Sequence, residues 1–203
     1  MAKTQQERRE DTRQRLLCAA RDIVAERGVA GASIDALAEA AERTSGALYA
    51  QFGSKDGLLL ALLDHWKDAT SGAIAADFSS TADLDARLDS LWRNFVDPPA
   101  DGGDVWVLLE HELWLYACRT PAVRARVAAR YERARDHLGS ALVAEDGRPH
   151  GDASPELGTL LIALMIGLEM QRRLDPDAVT DELARDGLRA LRSARVAERG
   201  DDR

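Results

Sequence analysis

Apolar residues recur at intervals of three and four along almost the whole 203-residue chain, which is the spacing of helices with one buried face. Runs that alternate apolar and polar residues, as half-buried strands do, are absent, and β-branched residues are sparse. Ala, Leu, Arg and Glu dominate the chain, and all four occur readily in helices. The sequence therefore predicts an all-α fold.

Glycine and capping residues divide this pattern into separate helices. Gly28 ends the first helix, Ser33 and Thr44 cap the next two, and Gly53 ends the third. A stretch rich in Ser, Thr and Asp, around residues 77–83, is predicted to be a loop. The predicted helices cover residues 12–27, 34–41, 45–52, about 54–72, 83–96, 104–118, 121–144, 155–173 and 177–196.

The acidic charge of the chain lies outside its N-terminal third. The net charge is -8, but residues 1–58 hold nine basic and nine acidic residues, and the first 15 hold five basic and three acidic. A neutral head on an acidic body indicates that only the N-terminal end meets phosphate, with strong salt sensitivity.

Residues 33–56 have the pattern of a helix-turn-helix, in which helix 34–41 braces helix 45–52 and the second helix enters the major groove of DNA. Small residues at the start of the second helix let its backbone approach the bases and offer methyl surface to thymine. The Tyr49 hydroxyl and the Lys55 ammonium suit phosphate oxygens. The predicted DNA contacts are Thr44, Ser45, Gly46, Ala47, Tyr49, Gln51, Lys55, Arg43 and Arg9.

The motifs of this head are specific in both residue type and spacing. They are Leu16-Leu17-Cys18-Ala19-Ala20, Glu26-Arg27-Gly28, Ser33-Ile34, Leu37-Ala38-Glu39-Ala40-Ala41 and Ser45-Gly46-Ala47-Leu48-Tyr49-Ala50-Gln51-Phe52-Gly53-Ser54-Lys55-Asp56. On them, residues 12–66 resemble the DNA-binding head of the TetR family of bacterial transcription regulators. The resemblance implies a cytoplasmic α-helical homodimer with a DNA-binding head and a variable, ligand-sensing body.

Two residues in the turn depart from the family's pattern of glycine followed by an apolar residue. Glu42 takes the place of the glycine, at a cost of about 1 kcal/mol if its φ is positive. Arg43 takes the apolar place. Its side chain either reaches DNA, which we favour, or points outward as a solvated substitution that loosens the turn.

The resemblance divides the chain into two domains. Residues 1–56 form the three-helix DNA-binding domain, with a linking helix from about residue 54, and residues 57–203 form the regulatory, ligand-binding and dimerisation domain. Residues 155–173 are apolar around much of the helix, so a second side needs a partner. With the helix at 177–196 they resemble the family's two dimerising helices, which pair with their copies as a four-helix bundle. A monomeric core helix is the alternative.

All four tryptophans lie between residues 66 and 114, in the middle of the body. The resemblance implies that the ligand cavity lies there, so these aromatic residues are the candidates for an aromatic, largely apolar pocket. Simple core packing is the alternative for each tryptophan. The predicted ligand-binding residues are Trp66, Trp92, Phe95, Trp106, Glu110 and Trp114.

The sequence therefore predicts a repressor that binds a palindromic double-stranded DNA operator as a homodimer and is released by a small apolar or aromatic effector. No cofactor, metal or membrane partner is expected, and Cys18 and Cys118 are expected to be buried thiols. Two other classes remain as alternatives. One is an enzyme that uses Glu110-His111-Glu112, although no metal or nucleophile motif supports it. The other is a helical adaptor that binds proteins.

Overall fold

The structure is a computed structural model that describes residues 4–81, 83–97, 103–142 and 155–200. Within these ranges the chain forms nine α-helices and no strand, which confirms the all-α prediction. The helices are α1 (Gln5–Gly31), α2 (Ile34–Ala40), α3 (Ser45–Phe52), α4 (Lys55–Ser80), α5 (Leu84–Val96), α6 (Gly103–Arg119), α7 (Pro121–Ala141), α8 (Pro155–Leu174) and α9 (Asp181–Gly200).

Two helix starts differ from the sequence prediction because of local capping. α1 begins at Gln5 rather than near residue 12, because Thr4 and Glu7 form a capping box. α9 begins at Asp181 rather than at 177, because the hydroxyl of Thr180 accepts the N–H of Leu183 at 3.2 Å.

The loop predicted around residues 77–83 is wrong over most of its length, since α4 continues to Ser80. The hydroxyl of Ser79 donates to the carbonyl of Ala75 at 2.7 Å, and that of Ser80 donates to the carbonyl of Asp77 at 2.6 Å. These polar side chains bond back onto their own helix instead of ending it.

The chain divides into two compact units. Unit 1 is Met1–Ala69 with Ala100–Val127, and unit 2 is Thr70–Pro99 with Ala128–Arg203. Unit 1 thus holds α1, α2, α3, α6, the first half of α4 and the start of α7. The predicted functional division into residues 1–56 and 57–203 stays a prediction.

The core of unit 1 is built from the inner faces of the three head helices, of α4 and of α6. α1 packs along α6 and α2, and α2 packs against α3. In the described part of unit 1, the leucines with no accessible surface are Leu16, Leu37, Leu48, Leu58, Leu59, Leu62, Leu63 and Leu109. The four in α4 recur at the three- and four-residue spacing that predicted this helix.

The core of unit 2 joins α5, α8 and α9. Trp92 lies in it, and its indole N–H donates to a carboxylate oxygen of Asp181 at 3.0 Å. Asp181 also pairs with Arg172, and these two hydrogen bonds hold the pKa of Asp181 below its usual value. On the same side of α9, Arg189 pairs with Asp89 of α5 at 2.9 Å. Hydrogen bonds and ion pairs therefore support the apolar packing of this unit.

Both cysteines are exposed, so the expectation of buried thiols is wrong. Cys18 falls on the solvent side of α1, in line with exposed Asp22 one turn later, and Cys118 shares an exposed side of α6 with Leu115. Among the described residues, no helix combines the length and apolar character needed to cross a membrane.

Candidate DNA-binding surface and effector site

The corner between α2 and α3 is a Schellman motif with glutamate where glycine is usual. After the C-cap Ala41, the N–H of Glu42 donates to the carbonyl of Glu39 at 2.9 Å, and the N–H of Arg43 donates to that of Ala38 at 2.8 Å. Glu42 has a φ of 53°, which is the left-handed region. The strain of about 1 kcal/mol foreseen for a positive φ therefore applies here.

α3 is defined at both ends by its own sequence. The hydroxyl of Thr44 accepts the N–H of Ala47 at 3.2 Å, and Gly53 ends the helix with a φ of 75°. Leu48 is fully buried and anchors the helix to the head. α3, the helix predicted to contact bases and called the reading helix below, is thus held by two caps and one core side chain.

The solvent side of α3 is uncharged. Gly46, Tyr49 and Ala50 are exposed on it, and 51% of the surface of Tyr49 is accessible. This side offers backbone and methyl surface, which fit the floor of a major groove, and a phenol hydroxyl, which suits a phosphate oxygen.

Two predicted contact residues of α3 bind the head itself. The hydroxyl of Ser45 donates to a carboxylate oxygen of Asp35 at 2.8 Å. The amide of Gln51 donates to the main-chain carbonyl of Arg9 at 2.8 Å, while the Arg9 residue is exposed. These bonds connect the reading helix to α2 and to the start of α1.

Lys55 is bound within the head as well. Its ammonium donates to the carbonyl of Val29 at 2.6 Å. Burial lowers the pKa of Lys55, and the neighbouring Asp56 carboxylate acts in the opposite direction. An ammonium has three donors, so one contact to Val29 leaves others for a phosphate.

Arg43 points toward α1 rather than into open solvent. Its Nη2 donates to Asp11 at 2.8 Å, its Nε to the hydroxyl of Thr12 at 3.3 Å, and its Nη1 to the carbonyl of Glu42 at 2.9 Å. Asp11 also pairs with Arg15 at 3.3 Å. The turn is therefore tied to α1 by polar contacts.

The end of α1 is bound by α6. Gly28 has a φ of 68° and a ψ of 171°, so the chain leaves the helical path there. This frees the N–H of Val29, which donates to a carboxylate oxygen of Glu112 at 3.0 Å. A Cβ on residue 28 would lie 2.8 Å from the same oxygen. Glycine suits this position through its φ, and a larger residue would also displace the Glu112 carboxylate from its contact with Val29.

A second contact joins α6 to the first turn of α4. The hydroxyl of Tyr116 donates to a carboxylate oxygen of Asp56 at 2.7 Å. This hydrogen bond, with burial, raises the pKa of Tyr116. Tyr116 lies one turn after Glu112, so one side of α6 contacts both α1 and α4.

The predicted effector residues fall into two groups. Trp66, Trp106, Glu110 and Trp114 lie in unit 1, where the rings of Trp66 and Trp106 are nearly parallel with centroids 6.3 Å apart. Trp66 is buried, and its indole N–H has no hydrogen-bond partner among the described residues. Trp92 and Phe95 instead belong to the core of unit 2.

Glu110 is a buried carboxyl on α6. Burial raises its pKa to about 7, although the Lys67 ammonium acts in the opposite direction. Trp106, Glu110 and Trp114 succeed each other at four-residue intervals, so they share one side of the helix. No group of His, Cys, Asp and Glu side chains suited to a metal ion occurs in the described part of the chain.

The contacts that sequence reasoning missed are those between distant segments. Among the candidates named from the sequence, Glu112 appears only in the cluster Glu110-His111-Glu112, and Tyr116 and Asp11 do not appear. A partial signal for Asp11 was its i, i+4 spacing to Arg15. Nothing local in the sequence indicates the pairing of Arg43 with Asp11 or of Val29 with Glu112.

Two family models match the chain. The model described as bacterial regulatory proteins, tetR family, matches residues 16–62, and that of a tetracyclin repressor-like C-terminal domain matches residues 83–194. The second match alone covers more than half of the chain. No curated protein matches this chain.

Solved structures share the fold over nearly the whole length. A TetR-family member from Streptomyces coelicolor is 28% identical, with a TM-score of 0.68 over 89% of this chain and 97% of that one. The multidrug-binding protein EbrR, solved with ethidium, is 30% identical, with a TM-score of 0.63 over 89% and 97%. A transcriptional regulator from Saccharomonospora viridis, solved with choline, is 22% identical, with a TM-score of 0.71 over 90% and 95%. The last likeness concerns the fold alone.

The raised pKa of Glu110 predicts a pH-dependent stability. The carboxyl stays protonated in the folded protein up to about pH 7 but ionises near pH 4.5 when unfolded, so the free energy of unfolding falls as pH rises between these values. Glu110→Gln removes this loss. When the pH rises from about 5.5 to about 8, the free energy of unfolding of the variant should increase by roughly 2 kcal/mol relative to that of the wild type. Denaturant unfolding at both pH values measures it, with the exposed Glu132→Gln as control. Parallel profiles for wild type and Glu110→Gln would contradict the prediction.

Proposed function

We propose, from the premise that the chain belongs to the TetR family of bacterial regulatory proteins, that it is a homodimeric repressor which binds a palindromic operator and leaves it when an aromatic effector binds. Proteins of this family are DNA-binding regulators, so this chain is a regulator and not an enzyme. The observation that carries the proposal is the uncharged, exposed side of α3, presented by two capped helix ends. A cytoplasmic location goes with this role.

In the proposed complex, α3 reads bases and other elements contact the phosphates. The methyl groups of Ala47 and Ala50 contact thymine, and the backbone at Gly46 approaches the base edges. The exposed Tyr49 hydroxyl and the exposed Arg9 guanidinium contact phosphate oxygens.

The remaining predicted contacts come from residues that also stabilise the head. Thr44 is the cap of α3, Ser45 is bonded to Asp35, and Gln51 is bonded to the main chain of Arg9. Each keeps a donor or acceptor for DNA. Lys55 in the same way keeps two ammonium donors beyond the one that binds Val29.

DNA selection from a random double-stranded library tests the proposed function directly. The full chain should enrich a palindrome, and its binding constant should fall steeply with salt. Arg9→Ala should reduce the slope of log K against log salt by about 1 per half-site, because one phosphate contact is lost. The exposed Arg133→Ala, in α7, serves as the matched control and should leave the slope unchanged. Enrichment of no sequence, together with no salt-dependent binding, would exclude the function.

The proposed dimer uses the sides of α8 and α9 that do not face the unit 2 core. The core takes Leu161, Met165 and Leu188, whereas Leu160 and Leu183 are exposed with 39% and 51% of their surfaces accessible. Apolar residues on a second side of a helix favour a helical partner. A second copy of α8 and α9 completes a four-helix bundle and supplies the second head that a palindrome requires.

Leu160→Glu combined with Leu183→Glu should convert the protein to a monomer at micromolar concentration, because a bundle core cannot hold unpaired carboxylates. Sedimentation velocity measures the change. Leu108→Glu, which alters an exposed leucine of α6, is the control and should remain a dimer. A wild-type protein that sediments as a monomer, or a double variant that stays dimeric, would contradict the proposed interface.

The proposed effector is a planar aromatic molecule, and a cationic one suits the buried carboxyl best. Trp66, Trp106 and Trp114 offer ring surface in unit 1, and Glu110 supplies a negative charge when ionised. The likeness to EbrR, which was solved with ethidium and with malachite green, supports this class. Trp92 and Phe95 are weaker candidates for effector binding, because packing in the core of unit 2 already explains their burial.

Malachite green serves as the probe for this site in the absence of DNA. It should raise the melting temperature of the wild-type protein by mass action. Glu110→Gln should bind it about tenfold more weakly at about pH 8, where the carboxyl is ionised, and Glu132→Gln should bind it normally. Equal binding by Glu110→Gln would exclude a role of the carboxylate, and stabilisation by neither malachite green nor ethidium would exclude the planar aromatic class.

Effector binding would reach the head through α6. This helix carries Trp106 and Glu110 and also the two side chains, Glu112 and Tyr116, that contact the end of α1 and the start of α4. A molecule that prefers one position of α6 therefore favours one position of the head, and operator affinity changes by that preference.

A further inference from the structure

The turn before α3 combines a strained residue with an unusual side chain. Glu42 occupies the left-handed position of the Schellman motif without the freedom of glycine. Arg43 follows at the position where this motif commonly places an apolar residue that packs back on the helix. The reading helix itself has no basic residue. What Arg43 does is therefore central to how this head recognises DNA.

The guanidinium of Arg43 is engaged on three of its nitrogens. Nη2 donates to Asp11 at 2.8 Å, Nε to Thr12 at 3.3 Å, and Nη1 to the carbonyl of Glu42 at 2.9 Å. The side chain is only 25% exposed. The planar fork of arginine fixes these directions relative to one another, so the three contacts define one position of the side chain.

The partners of Arg43 are themselves held on α1. Asp11 pairs with Arg15 at 3.3 Å, and the hydroxyl of Thr12 donates to the carbonyl of Arg8 at 2.9 Å. Arg43 is thus bound to α1 by its side chain and to α2 by its own N–H. The next residue, Thr44, caps α3. Whatever fixes residue 43 therefore fixes the first turn of the reading helix.

We propose that Arg43 is a positioning residue for DNA recognition, which holds the strained turn on α1 through Asp11 and Thr12 so that α3 is presented at a fixed angle. Its role is not to contact phosphate. The positioning role replaces the direct DNA contact that we favoured from the sequence. The polar contacts stabilise the turn in place of the apolar packing that the motif usually has at this position. This inference rests on the proposed DNA-binding function.

The effect of Asp11→Asn separates the two roles by sign. If Arg43 bound phosphate, Asp11 would compete for its guanidinium, and Asp11→Asn would strengthen DNA binding. If Arg43 positions the turn, Asp11→Asn weakens binding, as Arg43→Ala does. The double variant should then be no weaker than the worse single variant, because both changes break the same contact.

The experiment measures DNA affinity over a salt series for the full chain and the selected palindrome. Arg43→Ala and Asp11→Asn should each lower affinity by about fivefold at every salt concentration and leave the slope unchanged. Arg9→Ala is the comparison, since its slope falls. Glu42→Gly should restore part of the affinity of Arg43→Ala, because glycine relaxes the turn. Tighter binding by Asp11→Asn, or a reduced slope in Arg43→Ala, would overturn the proposal.

Amide hydrogen exchange of the DNA-free protein tests the positioning role of Arg43 independently of the proposed DNA-binding function. Exchange at residues 44–47 should rise about fivefold in both Arg43→Ala and Asp11→Asn and stay unchanged in Arg9→Ala. Arg43→Lys, which preserves the charge and disturbs folding less, should give an intermediate rise. If the wild type binds no DNA, the proposed function fails, but the exchange rates still test whether Arg43 and Asp11 hold the turn. Unchanged exchange in all these variants would refute the positioning role.

Discussion

Unit 1 depends on how the two main-chain polar groups of Val29 are bound. Gly28 turns the chain out of α1, so the N–H of Val29 reaches Glu112 on α6 at 3.0 Å, while its carbonyl accepts the Lys55 ammonium of α4 at 2.6 Å. Three helices therefore meet at one residue. Apolar packing alone allows small shifts, but two directed hydrogen bonds to one residue fix a position. Because α6 also carries Trp106, the same helix faces the head and the proposed effector site.

Local signals in the sequence were sufficient for the head. α2 and α3 lie within one residue of their predicted ends, because Ser33, Thr44 and Gly53 determine caps through contacts of only a few residues. The positive φ of Glu42, which the sequence analysis considered, also follows from a local motif, the Schellman turn. Helix type and the all-α class came from apolar spacing, which tertiary packing here reinforces and does not override.

The sequence was less informative wherever distant residues decide the outcome. Arg43 and Asp11 are 32 positions apart and Val29 and Glu112 are 83 apart, so no spacing rule joins them. The clustering of tryptophans suggested one pocket, yet Trp92 belongs to a different compact unit and bonds to Asp181. Composition predicted a loop where serine hydroxyls bond back onto α4 and continue the helix. In each case the outcome depends on side-chain partners that only the folded chain brings together.

The central claim is that α6 couples the DNA-binding head to the proposed effector site through Glu112 and Tyr116. The most direct measurement is the ¹⁹F spectrum of protein labelled with 5-fluorotryptophan, recorded with and without the selected DNA. Coupling between sites is reciprocal, so DNA bound at the head should shift the resonance of Trp106 on α6. In the Glu112→Ala, Tyr116→Phe double variant, DNA should still bind but the Trp106 resonance should no longer respond. A response of unchanged size in the DNA-bound double variant would contradict the account.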